Sequence, residues 1–404
     1  MPPDHTLQVA LPVPLPRLFD YLPPIGQAAS PSDVGKRVSV MFGNRALTGF
    51  VAGVGPPADP GLDLRPADAL LDAAPLLHGE LLESLHWLAR YTHAPLGEVV
   101  ATALPVLLRQ GEPLPDTHAW HWRLTEAGLS GRERLRAGSR PRRLADLLAQ
   151  HGTLDEDALD LHLDTGRATA RDLGKRGLAE RFAAPPAAVA ASPRPGPALN
   201  DEQQAAADAI IGTSGFGALL LDGVTGSGKT EVYLHAIADC LRRGRQALVL
   251  VPEIGLTPQT LSRFRERLGV PVHALHSGLN DGERARTWAA CLRGEARVIV
   301  GTRSAVFTPL PEAGLIVVDE EHDGSYKQQD GIRYHARDFA LVRGKALDVP
   351  VVLGSATPSL ETLHNARSGS YAHLRLSRRA GEAQPPAVRV LDMRKRAQQA
   401  GLLS

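Results

Sequence analysis

The sequence predicts a multidomain chain: a small β-rich N-terminal domain, a winged helix, and then an α/β lobe whose parallel sheet carries a P-loop. Three observations lead there. Apolar runs at residues 218–221, 247–251, 298–300, 315–318 and 351–353 are mostly separated by helical stretches, which is the alternation of a doubly wound parallel sheet. The first run breaks into GVTGSGKT before a helix. The N-terminal hundred residues, by contrast, are short β-rich runs punctuated by Pro and Gly.

The stretch ALLLDGVTGSGKTE, residues 218–231, organises the rest. Gly223, Gly228, Lys229 and Thr230 fill the pattern G-x-x-x-x-G-K-[ST]. Glycines let the backbone N–H groups of Thr225, Gly226, Ser227 and Gly228 turn inward as an anion nest, and the helix N-terminus adds partial positive charge. Lys229 is placed to reach β/γ-phosphates and the Thr230 hydroxyl to coordinate Mg²⁺, so a nucleoside triphosphate such as ATP is the expected ligand.

With 404 residues, 43% of them hydrophobic, the chain can bury several cores, and length suggests two to three domains. No apolar run approaches the roughly 18 residues of a membrane span, and MPPDHTLQVALPVPLPR lacks the order of a signal peptide, so a cytoplasmic protein is expected. Cys240 and Cys291 stand far apart and offer neither a disulfide framework nor a C-x-x-C zinc site. Net charge is +1, which makes no global electrostatic case for nucleic acid.

In chain order, residues 1–110 form the β-rich domain with a helical stretch at 80–91. Phe19 and Asp20 follow a proline-stiffened strand, and residue type alone reads them as a core aromatic beside a turn-capping carboxylate. Residues 111–182 form the winged helix: SRPRRLADLLAQHG and LDEDALDLHL read as helices, and TGRATARDLGKRGLAERF as a third leading into a β-like tail. Arg132, Arg134, Arg136, Arg140, Arg142 and Arg143 suit either duplex phosphates or a solvated spacer surface. Residues 183–198, Pro/Ala-rich and aperiodic, read as a linker, with the nucleotide-binding lobe at 199–380.

VVDEEH closes the fourth apolar run of the lobe and aims Asp319 and Glu320 at the nucleotide, Asp319 toward Mg²⁺ and Glu320 toward the attacking water. LNDEQ (199–203), VPEIGLTPQ, GTRSAVF, DEEH and GSATPS (354–359) resemble, in order, the adenine-reading segment with Gln203 and motifs Ia, Ib, II and III of a superfamily 2, RecA-like first helicase lobe. ALPVPLPRLFDYLP, LPVLLRQG and EEHDGSYKQQDGIRYHARD narrow the resemblance to the primosomal protein N′ (PriA) replication restart helicase family, across essentially the whole chain.

That resemblance implies a protein that recognises stalled or branched forks, binds ATP, Mg²⁺ and DNA, and initiates primosome assembly, with 3′ to 5′ unwinding in the complete family member. The implied partners are fork DNA with a nascent 3′ end, primosome proteins with the replicative helicase loader, and single-stranded DNA-binding protein; no membrane is implied, and the location is nucleoid-associated. Phe19, Asp20, Gly43 and Arg65 match its 3′-end pocket, Arg65 falling near a position where lysine is usual. Tyr326 and Tyr334 are implied to stack on bases, and Lys327, Arg333 and Arg337 to meet phosphates. His322, Ser355 and Thr357 are implied to couple DNA contact to hydrolysis. Ile332 stands where an aromatic is usual. After GSATPS no G-R-x-G-R motif occurs, and the family's second lobe and zinc-binding cysteines are missing, residues 381–404 being read as the start of that second lobe. The alternative expectation is therefore a fork-recognition and loading platform that does not hydrolyse ATP; a P-loop kinase or transporter ATPase is disfavoured by the Ia, Ib and III segments.

Overall fold

The computed structural model describes residues 5–59, 61–117, 119–155, 159, 162–163, 165–184 and 194–380. Segment 381–404 and most of the expected linker lie outside the described residues.

Five strands open the chain: β1 (Thr6–Ala10), β2 (Phe19–Tyr21), β3 (Arg37–Phe42), β4 (Arg45–Gly55) and β5 (Ala69–Leu70), in the order β2-β1-β4-β3-β5 and antiparallel throughout. Period-two alternation buries Leu7 and Val9 of β1 and Val38 and Val40 of β3 against Tyr21 and Val51. Helices α1 (Gly79–Thr92), α2 (Leu96–Ala103) and α3 (Val106–Arg109) follow. Fully buried Arg37 ties the sheet to them, paired with Asp72 at 2.7 Å and donating from Nη1 to the carbonyls of Leu108 and Glu112, both at 2.7 Å.

Helix α1 does more than finish this domain. Its face of Leu81, Leu85 and Leu88, at helical spacing, joins one core with Phe307, Phe339 and Ala340 of the later lobe. At that seam Arg343 is wholly buried. Its Nε and Nη2 fork the Glu80 carboxylate at 2.9 and 2.7 Å, while Nη1 donates to the carbonyls of Val306 and Thr308.

The middle module contains β6 (Ala119–Leu124), α4 (Glu126–Gly131), α5 (Arg140–His151), β7 (Thr153–Asp155), α6 (Gly166–Lys175) and β8 (Ala179–Ala184), with its three strands antiparallel in the order β7-β6-β8. Its described elements, three antiparallel strands with α5 and α6 packed on them, are those that the expected winged helix calls for. Ser139 caps α5, and Trp122, Leu144, Leu148 and Leu173 fill the core. The helix expected over LDEDALDLHL is corrected at its start, because Leu154 and Asp155 belong to β7; most of the remainder lies outside the described residues. Strand β8 also runs to Ala184, into the segment expected to be linker.

The lobe then alternates α7 (Asp201–Gly212), β9 (Ala218–Gly223), α8 (Lys229–Arg242), β10 (Gln246–Leu250), α9 (Pro258–Leu268), β11 (Val272–Leu275), α10 (Asp281–Leu292), β12 (Val298–Gly301), β13 (Ala313–Asp319), α11 (Ala336–Leu347), β14 (Val351–Ser355), α12 (Leu360–Arg367) and β15 (Ala372–Leu376). Its seven strands are parallel, in the order β11-β12-β10-β13-β14-β9-β15. The five expected strands lie inside it, apolar on both faces because helices cover both. The two strands the apolar runs do not announce, β11 and β15, are its edges; VHAL and AHLRL are interrupted by His273 and by His373 and Arg375, as an edge with one flank toward solvent allows.

Candidate nucleotide site and DNA-facing surfaces

The carboxyl edge of β9 opens into the P-loop, and α8 begins at Lys229. Gly226 and Gly228 have φ of +80° and +84°, the left-handed backbone that lets successive N–H groups converge. At Gly228 a Cβ would also lie 2.4 Å from Gln203 Nε2, so the loop admits no larger residue there. Ser227 is buried, and its Oγ has no hydrogen-bond partner among the described residues, a donor held ready inside the cradle. Residues 225–230 line a cavity of about 360 Å³ together with Arg263, Asp319, Glu320 and Ala380.

Across that cavity β13 delivers the acidic pair. Asp319 Oδ1 accepts from the Tyr233 hydroxyl at 3.0 Å, an approach possible because residue 354 is glycine: a Cβ there would fall 1.5 Å from that hydroxyl oxygen. Burial, then the neighbouring Glu320 charge, raises the Asp319 pKa. Glu320 has φ of +46°, a strained conformation for a residue with a Cβ. Its carboxylate lies 3.5 Å from Lys229 Nζ, which also donates to the Gly223 carbonyl at 3.1 Å. Two adjacent carboxylates facing a glycine nest with a buried hydroxyl fit a phosphate chain with its divalent cation; Thr230 and Asp319 are the residues that could hold the cation.

From Glu320 a polar chain leaves the cavity. His322 lies 3.7 Å from Glu320 Oε2, with Nδ1 at 2.7 Å from Ser355 Oγ and Nε2 at 3.3 Å from Thr357 Oγ1. The structure thus brings together His322, Ser355 and Thr357. It also uses a residue that the sequence pattern does not single out. Glu321 is fully buried and accepts from the Ser359 N–H at 2.7 Å, the Ser359 and Thr362 hydroxyls and Arg337 Nη1 at 3.0 Å, joining the end of DEEH to the cap of α12 and the start of α11. A third acid beside an acidic pair is its only signal.

Several expected side chains are differently employed. Gln203 is buried; its Nε2 donates to the Ser227 carbonyl at 2.7 Å and its Oε1 accepts from the Asn200 N–H, so it braces the P-loop instead of facing an adenine. Tyr326 and Tyr334 are also buried, at 0% and 2% exposure, and cannot stack on bases from these positions. The Tyr326 hydroxyl donates to the Asp319 carbonyl at 2.7 Å, Tyr334 packs edge-on to Phe307, and Ile332 is buried in the same core. Arg337 is spent on Glu321, Asp338 and Ser359 rather than presented to phosphates. Lys327 and Arg333 remain exposed. In the winged helix, Arg142 is bound to Asp146 and to the Arg132 carbonyl, leaving Arg143 as the exposed member of that pair.

At the N-terminal sheet, alternation sends Phe19 and Asp20 to opposite faces. Phe19 packs edge-on to Phe42 at 5.1 Å beneath the Arg17 guanidinium, while Asp20 accepts from the Ala58 N–H at 2.9 Å and from Thr6 Oγ1 at 3.3 Å. Arg65 Nη1 donates to the Gly43 carbonyl at 3.4 Å, and its own carbonyl accepts from the Leu22 N–H. Arg65 therefore sits beside Gly43 of the β3–β4 turn and Phe19 beside Phe42 just before it, while Asp20 is turned to the opposite face, toward Thr6 and Ala58.

Comparison with known proteins now gives these parts a class. The model of the 3′ DNA-binding domain (3′BD) matches residues 8–105, and that of the DEAD/DEAH box helicase matches 200–366. The chain therefore joins a 3′ DNA-binding domain to a helicase-type, ATP-binding lobe. Over 98% of its length it is 41% identical to the replication restart protein PriA of Haemophilus influenzae, covering 55% of that protein. It is 38% identical to that of Chlamydia pneumoniae over 81% of the chain and 45% of the relative, and 47% identical to that of Bacillus subtilis over 49% and 25%. The chain belongs to the PriA replication restart protein family, and spans about half the length of the relatives it matches, or less. Among the described residues, no helix is long and apolar enough to cross a membrane.

Proposed function

We propose that this protein recognises stalled or branched replication forks by the nascent 3′ end, binds Mg-ATP in the P-loop lobe, and serves primosome assembly through a helicase loader and single-stranded DNA-binding protein. Asp20 is the end reader. Its carboxylate accepts two hydrogen bonds within the chain, from Thr6 and Ala58, and retains acceptor capacity for a terminal 3′-hydroxyl, while Phe19 lies on the other face of β2, toward Phe42. Duplex arms lie against the winged helix, where Arg143 remains exposed, and against Lys327 and Arg333 of the lobe. In the nucleotide site Lys229 meets the β/γ-phosphates, Thr230 and Asp319 hold Mg²⁺, and Glu320 orients the attacking water. ATP supplies the phosphoryl group whose transfer drives motion in a complete family member.

The observation that carries this reading is the seam between Glu80 and Arg343. It supports a fixed distance between a 3′ end held on the first domain and the nucleotide lobe, which is what a fork reader coupled to a motor needs. The cavity lining favours the second reading for this chain by itself, a platform that binds nucleotide without turning it over. Every described cation at the cavity comes from the P-loop side or from α9, and hydrolysis also needs cations from the opposite face, worth roughly 10³ to 10⁵ in rate. The test is steady-state phosphate release with and without single-stranded DNA. The expected result is no appreciable stimulated turnover by this chain; robust stimulation would overturn the platform reading.

A further inference from the structure

Two arginines on α9 converge on one carboxylate. Glu231, the residue after the P-loop threonine, is buried and accepts from Arg263 Nη2 at 2.6 Å and from Arg267 Nη2 at 3.2 Å. These contacts outweigh its burial and hold its pKa below the ordinary range. One negative charge between two guanidiniums leaves a positive charge in excess, and the two arginines differ in what else they do. Arg267 is the structural partner: its side chain is largely buried, and it also binds the Arg194 carbonyl, pinning the segment that enters the lobe. Arg263 is half exposed, makes its only hydrogen bond among the described residues to Glu231, and lines the phosphate cavity with Lys229, Thr230, Asp319 and Glu320. Four of its five N–H donors are unused there.

We infer that Arg263 is a phosphate-sensing residue: when Mg-ATP occupies the P-loop, its guanidinium turns from Glu231 to the terminal phosphate, so that the lobe distinguishes a triphosphate from a diphosphate. The cavity is common to both arginine and acidic pair, and Thr230, Asp319 and Glu320 mark its metal and γ-phosphate side. Glu231 is not stranded by that movement because Arg267 still holds it. A planar fork suits this exchange; a lysine ammonium cannot bridge carboxylate and phosphate with the same geometry. The inference rests on the nucleotide-site reading above.

The experiment is fluorescent-nucleotide titration of the whole chain with Mg-ATP and Mg-ADP, for Arg263→Ala, Arg263→Lys and Lys229→Ala, with melting curves confirming that each variant is folded. Arg263→Ala is expected to weaken ATP by roughly tenfold and ADP by less than about twofold, since one charge-assisted contact is lost only with the triphosphate. Arg263→Lys should fall between. Equal weakening of both nucleotides, or no change in either, overturns the inference while leaving the site intact if Lys229→Ala still loses binding. Unchanged affinity in Lys229→Ala overturns the nucleotide-site reading and this inference together.

Discussion

The nucleotide lobe and the N-terminal domain solve their tasks with different materials. In the lobe, the candidate site sits on backbone and on side chains at strand ends: positive-φ glycines, a strained Glu320 and a hydrogen-bonded chain from His322 to Thr357. In the N-terminal domain the candidate pocket is a surface of a small sheet, and its carboxylate is already accepting from Thr6 and Ala58. The contrast shows why a motif of fixed spacing announces the first site so clearly. A P-loop must keep its residues in register for the loop to close, whereas the residues proposed for an end pocket come from β2, a hairpin turn and a distant loop, and leave no compact pattern.

The largest expected effect on ligand binding lies on the lobe side. Lys229→Ala removes the cation facing the phosphates and should weaken Mg-ATP by about 2 to 3 kcal/mol, roughly a hundredfold, while fork affinity changes by less than about twofold. Nucleotide and fork titrations check both halves, and a parallel fall in fork affinity would break the separation of the two regions.

An effect on stability, rather than on binding, sharpens the comparison at the seam. Glu80→Ala strands Arg343 in a site where it is 0% exposed, with only two carbonyls left to it, and the expected cost is about 3 to 5 kcal/mol. Denaturant melts should show an earlier transition involving both the first domain and the lobe. A shift under about 1 kcal/mol would mean that the pair does not join them.

Much of this is legible from residues alone. The interior strands of the lobe and the acidic pair each carry a signal that physics makes local: apolar runs and a strand end. Tyr326, Tyr334 and Arg337 depart from expectation because exposure is not local. An aromatic-rich segment reads the same whether its rings face solvent or, as here, fill the core beneath β13. Gln203 departs for a related reason, since the P-loop carbonyl that occupies it is brought near only by packing of α7 on α8. Glu321, Arg263 and the partnership of Glu80 with Arg343 depend on contacts across 16 to 263 residues of sequence, and no spacing rule reaches that far.

The central claim is that end recognition and nucleotide handling are separate sites on one connected frame. Its most direct test is binding of forks ending in a 3′-hydroxyl or a 3′-phosphate by the parent chain and by Asp20→Ala, with Mg-ATP affinity measured on the same preparations. The account predicts that the parent prefers the hydroxyl end, that Asp20→Ala binds both ends alike, and that Mg-ATP affinity is unchanged. A variant that keeps the parent's preference, or loses it together with nucleotide affinity, would contradict it.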